Sequence, residues 1–241
     1  MTIVGLVWPG PVENAEIIEA NRFLPEGITV RYSQADYDVG APKPITLDRL
    51  REMAISPGIV KAAKTFSSPE VSVVGYACTS ASYVRGMGGD IEISSSIQSA
   101  TGLPSTTTST SIINALNQLE SKRISVLSPH VDELNNRLRI FLEEYGFEVV
   151  HMRGLNRLRG IEEIPSVEIS ELVEHLVDTQ DADSILVSCT GMKTADIIDQ
   201  LEYKIGKPVV SALQATIWEC LRLAGVKVAI EGKGVLMSQI A

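Results

Sequence analysis

The sequence has few of the residues that would indicate a metal site, a disulfide framework or a nucleic-acid surface. Its 241 residues include only three cysteines and three histidines, and no Cys-x-x-Cys pair occurs. A disulfide framework and a structural zinc site are therefore not expected. The net charge is −9 and no lysine/arginine cluster offsets it, which argues against nucleic-acid binding.

Long hydrophobic runs are also missing. No apolar stretch approaches the roughly 20 residues of a membrane span, and no signal peptide precedes the first expected strand. Hydrophobic residues make up 44% of the chain and charged residues 21%, as in a globular protein of one large or two small domains. We therefore expect a cytoplasmic protein that contacts neither membrane nor nucleic acid.

Two cysteines occur in matching contexts. Cys78 follows the apolar run 71–77, and Cys189 follows the run 184–188. Such β-branched runs are typical of strands buried in a parallel sheet. Each cysteine is followed by threonine and a small residue, whose N–H groups can converge on an anion. A lone buried cysteine usually only packs, which is our interpretation of Cys220, but two matching ones favour a function.

The order of expected elements occurs twice along the chain. Each copy has a strand stopped by proline, a helix, further strands and helices, and then the strand that leads to cysteine. This duplication predicts an α/β fold of two similar Rossmann-like halves, each a parallel sheet flanked by helices, related by a pseudo-two-fold axis. We assign residues 1–110 plus 216–241 to one half and 111–215 to the other, with the active site in the cleft between them. Residues 47–66 are expected to form one helix capped by Thr46, and 194–204 another.

The chain resembles the aspartate/glutamate racemase superfamily over nearly its whole length. Within it the sequence is most similar to the branch of maleate cis-trans isomerase and arylmalonate decarboxylase. The resemblance is carried by the segments Ala77–Ser80, Ser188–Gly191, Ala100–Pro104, Ser128–Asn135 and Gln214–Trp218.

This resemblance implies an enzyme that uses neither metal nor organic cofactor, with Cys78 and Cys189 as catalytic thiols. It also implies a set of substrate-binding residues: Asn14, Thr79, Ser80, His130, Asn156, Thr190 and Gly191. His130 departs from the family pattern, because the relatives usually carry tyrosine there.

Some of these residues also have a purely structural interpretation. Asn14 could cap the first helix, and His130 could be a polar residue at a helix N-terminus. Tyr76 and Tyr83 flank the first thiol, but core packing is the simpler interpretation for both. The loop arginines 153, 157 and 159 are interpreted as solvated.

The leading hypothesis is an isomerase of maleate or a related cis-enedioic acid, in which a thiolate adds to the double bond. A racemase would use the same thiols as opposed base and acid. The resemblance implies that decarboxylases keep only the second cysteine, so Cys78 would be surplus to a decarboxylase of disubstituted malonates. A protein that only binds a small dicarboxylate is the alternative outside catalysis. A homodimer is expected in each case.

Overall fold

The structure, a computed structural model, describes residues 2–10, 14–35, 44–66, 70–177 and 181–240. Within these ranges the strands form two parallel sheets of four strands each. The first sheet contains β1 (Ile3–Trp8), β2 (Thr29–Gln34), β3 (Val71–Tyr76) and β4 (Ser105–Thr107). The second contains β5 (Arg123–Ser128), β6 (Glu148–Gly154), β7 (Ser184–Val187) and β8 (Val209–Ser211).

Helices connect successive strands and cover the sheets. In chain order they are α1 (Asn14–Asn21), α2 (Leu47–Ala54), α3 (Pro57–Ala63), α4 (Thr79–Tyr83), α5 (Gly89–Thr101), α6 (Thr108–Gln118), α7 (Asp132–Glu144), α8 (Ser166–Val177), α9 (Ile198–Ile205), α10 (Ala212–Leu223) and α11 (Val235–Ser238).

The two sheets have the same strand order. The first runs β2-β1-β3-β4 and the second β6-β5-β7-β8, so each strand of one half has a counterpart in the other. Both central pairs are parallel and buried, because their β-branched and leucine side chains are covered by helices. The prediction of two similar α/β halves is confirmed.

The prediction of a single helix over 47–66 is wrong, because the helix is interrupted at Ser56-Pro57. Proline has no N–H to donate to the preceding turn, so it is tolerated only in the first turn of a helix. The Ser56 hydroxyl instead accepts a hydrogen bond from the N–H of Gly58, at 3.1 Å, and caps the new helix α3.

The first sheet with its helices up to α6, and the second sheet with its helices up to α11, are called the first and second half below. They contact each other through α6 and α10, which occupy equivalent places in the repeat. The Thr216 hydroxyl donates to Thr108 Oγ1 at 2.9 Å, and Asn114 Nδ2 donates to Glu219 Oε1 at 2.9 Å. Buried side chains of both sheets form one continuous core around these helices. The predicted boundaries at 110 and 216 lie within α6 and α10, and the division into domains stays a prediction.

The strand order also indicates where a ligand would bind. In each sheet the first strand lies between the second and the third, so the strand order reverses between β1 and β3 and between β5 and β7. Ligands of open parallel sheets bind beyond the carboxyl ends of such neighbouring strands. Cys78 follows β3 and Cys189 follows β7, so both thiols lie at these ends.

No helix in the described ranges is long and apolar enough to cross a membrane.

Candidate active site

The first thiol lies where β3 passes into α4. Cys78 has extended backbone angles (φ −147°, ψ 106°), and the helix begins at the next residue. Its side chain is only 8% exposed, and this burial raises the pKa of the thiol. Hydrogen bonds to the sulfur act in the opposite direction and lower the pKa. They come from the N–H of Ala81, the hydroxyls of Tyr76 and Ser80, and the N–H of Ser80. We call residues 78–81 the Cys78 turn.

Buried hydroxyl groups bind the backbone carbonyls of the Cys78 turn. Ser82 Oγ lies 2.7 Å from the carbonyl oxygen of Cys78 and 2.9 Å from that of Thr79. Ser109, at the start of α6, donates to the same Thr79 carbonyl at 3.1 Å and lies 2.7 Å from Ser82 Oγ. These bonds add to the backbone bond from the Ser82 N–H to the Cys78 carbonyl, at 3.3 Å, and together they fix the backbone that carries the thiol.

The second thiol has a strained backbone. Cys189 adopts φ +96°, in the left-handed region that favours glycine. Its side chain is half-buried, and the Gly191 N–H donates a hydrogen bond to the sulfur. Burial raises the pKa of Cys189 to about 12, and the negative charges of Cys78 and Glu162 act in the same direction. We call residues 189–191 the Cys189 turn.

The two turns contact each other across the halves. The Thr190 hydroxyl donates to the carbonyl oxygen of Ala77, the residue before Cys78, at 3.5 Å. The thiolate charges of both cysteines also raise the pKa of Tyr83, after burial as the main cause. Tyr83 is fully buried and its hydroxyl reaches the Leu134 carbonyl at 3.4 Å. Thus both thiols are close enough to influence one buried phenol.

His130 comes from the second half and lies against the first thiol turn. Its ring is 1% exposed, and Nε2 lies 3.4 Å from Ser80 Oγ. Burial lowers the pKa of His130 to about 4, so the imidazole is neutral at pH 7. The backbone is held on both sides: its N–H donates to Ser128 Oγ at 3.3 Å, and its carbonyl accepts from Asn135 Nδ2 at 3.0 Å.

Two buried polar atoms at this place have no protein partner. Thr79 Oγ1 and His130 Nδ1 are buried without a hydrogen bond to any residue that the structure describes. Their side chains are 2% and 1% exposed. A buried polar group left unpaired costs about 1 to 3 kcal/mol, so a water or ligand is expected to pair with these two atoms.

Most of the predicted site residues are therefore brought together. Those around the paired turns are Cys78, Thr79, Ser80, His130, Cys189, Thr190 and Gly191. Asn156 is exposed, with φ +54°, and reaches His130 only through its backbone N–H, at 3.2 Å from the His130 carbonyl. The side chain of Asn14 lies outside the described residues. The roles of all these residues stay predictions.

Sequence reasoning missed Tyr76 as a partner of the thiol. Its side chain is 1% exposed, as core packing requires, but its hydroxyl bonds to the sulfur of Cys78. Residues two apart on a strand point to the same face, so the spacing of Tyr76 and Cys78 could have indicated this contact.

In the described part of the chain, no group of three histidine, cysteine, aspartate or glutamate side chains is arranged to hold a metal ion. The polar groups around the thiols are mainly hydroxyls, backbone N–H groups and a neutral imidazole, with the Glu162 carboxylate near Cys189. These are donors suited to a carboxylate rather than a ligand set for a metal.

A known enzyme has the same fold as this chain. A solved arylmalonate decarboxylase, in a variant with one glycine changed to cysteine and one cysteine to serine, has the same fold in its liganded form. The TM-score is 0.86 at 28% identity, with 98% of each chain covered. The fold and the paired turns together define an α/β enzyme of the aspartate/glutamate racemase superfamily.

The sequence matches are more specific. The family model for arylmalonate decarboxylase matches residues 46–237. The arylmalonate decarboxylase of Bordetella bronchiseptica is 34% identical over 176 residues, which are 71% of this chain and 73% of that protein. A maleate isomerase of Pseudomonas putida is 28% identical over 187 residues, 74% of each. The chain belongs to the arylmalonate decarboxylase family, in the branch that also contains maleate isomerases.

Proposed function

We propose that this protein is a cofactor-independent cis-trans isomerase of maleate or a closely related cis-enedioic acid. The observation that carries the proposal is the pair of matching thiol turns, Cys78 and Cys189, in contact through Thr190 and the Ala77 carbonyl. The similarity to a maleate isomerase supports the choice of substrate class.

Burial raises the pKa of both thiols, but the polar groups around them favour Cys78 as the nucleophile. Its sulfur receives hydrogen bonds from two backbone N–H groups and two hydroxyls, whereas Cys189 receives one and lies near the carboxylate of Glu162. Donors aimed at sulfur stabilise a thiolate, and a nearby negative charge disfavours it. Ser80 also links the Cys78 sulfur to the neutral imidazole of His130, whose Nε2 lies 3.4 Å from Ser80 Oγ.

The reaction then proceeds by addition, rotation and elimination. The Cys78 thiolate forms a C–S bond to one alkene carbon, and the π electron pair moves to the other carbon, beside its carboxyl group. Cys189 gives that carbon its thiol proton, which produces a succinyl group attached to Cys78. The adduct rotates about the resulting single bond. The Cys189 thiolate takes a proton back, the double bond re-forms, and the C–S bond breaks to release the trans acid.

Neutral donors hold the substrate carboxylates in this account. One carboxylate accepts hydrogen bonds from the orphan Thr79 hydroxyl and from His130 Nδ1 in its N–H tautomer. The other lies at the N–H groups of the Cys189 turn. In a buried site such donors stabilise the charge that develops on a carboxyl group during addition, since they are already oriented.

Decarboxylation is the second candidate, and the family model and the relative from Bordetella bronchiseptica favour it. The resemblance implies a small residue in decarboxylases at the place of Cys78. The two-thiol arrangement therefore favours the isomerase over it. A racemase would also use both thiols.

One experiment separates these reactions. The protein is incubated in D2O with maleate, with several amino acids and with an arylmalonate, and each mixture is followed by proton NMR. The isomerase should convert the cis vinyl signal of maleate to the trans signal. Loss of a Cα–H signal from an amino acid without alkene turnover would instead indicate a racemase, and a new monoacid from the arylmalonate a decarboxylase. No turnover of any substrate would favour a binding protein.

Cysteine variants provide the matched controls. Cys78→Ala and Cys189→Ala should each lower turnover by about two orders of magnitude or more, since no other group replaces an activated thiol. Cys220→Ala should retain turnover, because this thiol lies on α10 and is buried in the hydrophobic core. Full turnover by Cys78→Ala would exclude the isomerase and racemase and favour the decarboxylase.

A further inference from the structure

Glu19 is a buried acid that the proposed reaction does not use. It lies in α1 of the first half, and its side chain is 3% exposed. Glutamate is rarely buried to this degree unless its charge is paired or hydrogen-bonded. Its contacts should therefore indicate a specific role.

The Glu19 carboxylate binds a segment of the second half. Oε1 accepts hydrogen bonds from the backbone N–H of Thr194 at 2.6 Å and of Ala195 at 2.8 Å. Arg22 completes the contact, with its guanidinium 3.7 Å from Glu19 Oε2 and 2.6 Å from Asp196 Oδ2. Glu19 in α1 and Arg22 just after it thus contact residues 194–196, shortly after the Cys189 turn.

The two thiol turns differ in how their following backbone is held. The Cys78 turn leads directly into α4, whose helical bonds and Ser82 hydroxyl satisfy it. After Cys189 no helix follows directly: the helix expected over 194–204 is present, but its predicted start is wrong, since α9 begins only at Ile198. The N–H groups at 194 and 195 therefore need an acceptor from elsewhere, and Glu19 supplies it as an N-cap side chain would.

We propose that Glu19 is a positioning residue for Cys189, acting across the two halves. Its bonds to residues 194 and 195 hold the segment that follows the Cys189 turn and keep Cys189 at its unfavourable φ of +96°. Backbone strain of this kind persists only where surrounding contacts hold it. The inference deepens the proposed function, because it names what keeps the second thiol facing the first.

The test measures Cys189 directly and needs no substrate. In a Cys78→Ala, Cys220→Ala background, Cys189 is the remaining cysteine, and its alkylation by iodoacetamide at pH 8 is followed by mass. Glu19→Gln keeps an acceptor oxygen and removes the charge, whereas Glu19→Ala removes both. Circular dichroism and a thermal melt show whether each variant folds.

Glu202→Gln is the matched control. Glu202 is also a partly buried carboxylate that accepts two backbone N–H bonds, from Val209 at 2.7 Å and Val235 at 2.7 Å. Both partners belong to the second half and to other segments than the Cys189 turn. A merely structural effect of losing a buried carboxylate should appear in this variant as well.

Release of the turn should expose the thiol to water and bring its pKa toward the ordinary range. Glu19→Ala should therefore alkylate at least about tenfold faster than its parent, because the thiolate fraction rises. Glu19→Gln should lie between them, and Glu202→Gln should match the parent. With all three cysteines present, Glu19→Ala should lose about tenfold to a hundredfold in kcat through misplacement of the thiol.

An unchanged alkylation rate in a folded Glu19→Ala variant would overturn the proposal. So would failure of both Glu19 variants to fold while Glu202→Gln folds, since Glu19 would then support the whole fold rather than this turn. Faster alkylation of Glu202→Gln to the same extent would contradict it too. If no isomerase substrate is found, the alkylation rates still decide the role of Glu19, so the two proposals can fail separately.

Discussion

At the scale of single residues, the two thiols are alike in sequence and different in surroundings. Each precedes a threonine and follows an apolar strand, which made both recognisable from the sequence alone. Their difference was not recognisable, because the Tyr76 hydroxyl reaches Cys78 along the strand face and Glu162 approaches Cys189 from a separate loop. Such contacts depend on tertiary packing rather than on local residue pattern.

His130 gives a prediction about pH at the same scale. Its pKa is lowered by burial to about 4 from an ordinary 6.5, so below pH 6.5 the unfolded chain takes up a proton that the folded protein does not. The contribution of neutral, buried His130 to the free energy of unfolding is fully present above pH 6.5 and is lost as the pH falls toward 4. The full loss is about 3 kcal/mol in the free energy of unfolding.

The measurement is urea unfolding of the parent and of His130→Tyr between pH 4 and 7. Carboxylates contribute to acid sensitivity in both proteins, so the share of His130 is the difference between the two curves. Tyrosine does not titrate in this window. Parallel curves would contradict a buried, neutral His130.

At the scale of elements, strands were predicted better than helix ends. Apolar β-branched runs favour buried strands, and the runs 71–77 and 184–188 contain β3 and β7. Helix interruptions depend on single backbone groups, as at Pro57, or on a partner from the other half, as at Thr194. The sequence near residue 194 contains no sign of Glu19, which is 175 residues away.

The end of β6 gives an element-scale prediction. Gly154 lies beside the turn that carries His130, and a Cβ there would come within 2.8 Å of the His130 carbonyl oxygen and would also collide with the Asn135 amide. Gly154→Ala should therefore displace this turn, lower the free energy of unfolding by about 1 to 3 kcal/mol, and lower turnover further than the lost stability explains.

Gly5→Ala is the control for this prediction. A Cβ at Gly5 would lie 2.9 Å from the Phe66 ring, so it causes a comparable collision in β1, away from His130. Urea unfolding and turnover are measured for both variants at a temperature where each is folded. Equal turnover in the two would show that the β6 end does not position His130.

At the scale of the whole molecule, the duplication was the most informative sequence feature. It predicted two similar halves, each with a parallel sheet, and the strand order found in both sheets places both thiols beyond the carboxyl ends of central strands. The contact between halves was not visible in the sequence, because α6 and α10 meet through hydroxyl and amide groups spread over their length. The homodimer and the cytoplasmic location stay predictions.

Detection of the covalent adduct tests the two-thiol mechanism most directly. Cys189→Ser removes the thiol proposed to protonate and deprotonate the adduct. Water can still supply the proton that completes the adduct, whereas elimination needs a base at that carbon, so the intermediate should accumulate. The variant is incubated with maleate, and intact mass and peptide mapping locate any added group. We predict a mass increase of one maleic acid, located on Cys78. An unmodified Cys78 in a folded variant that still isomerises maleate at the parent rate would contradict the two-thiol mechanism.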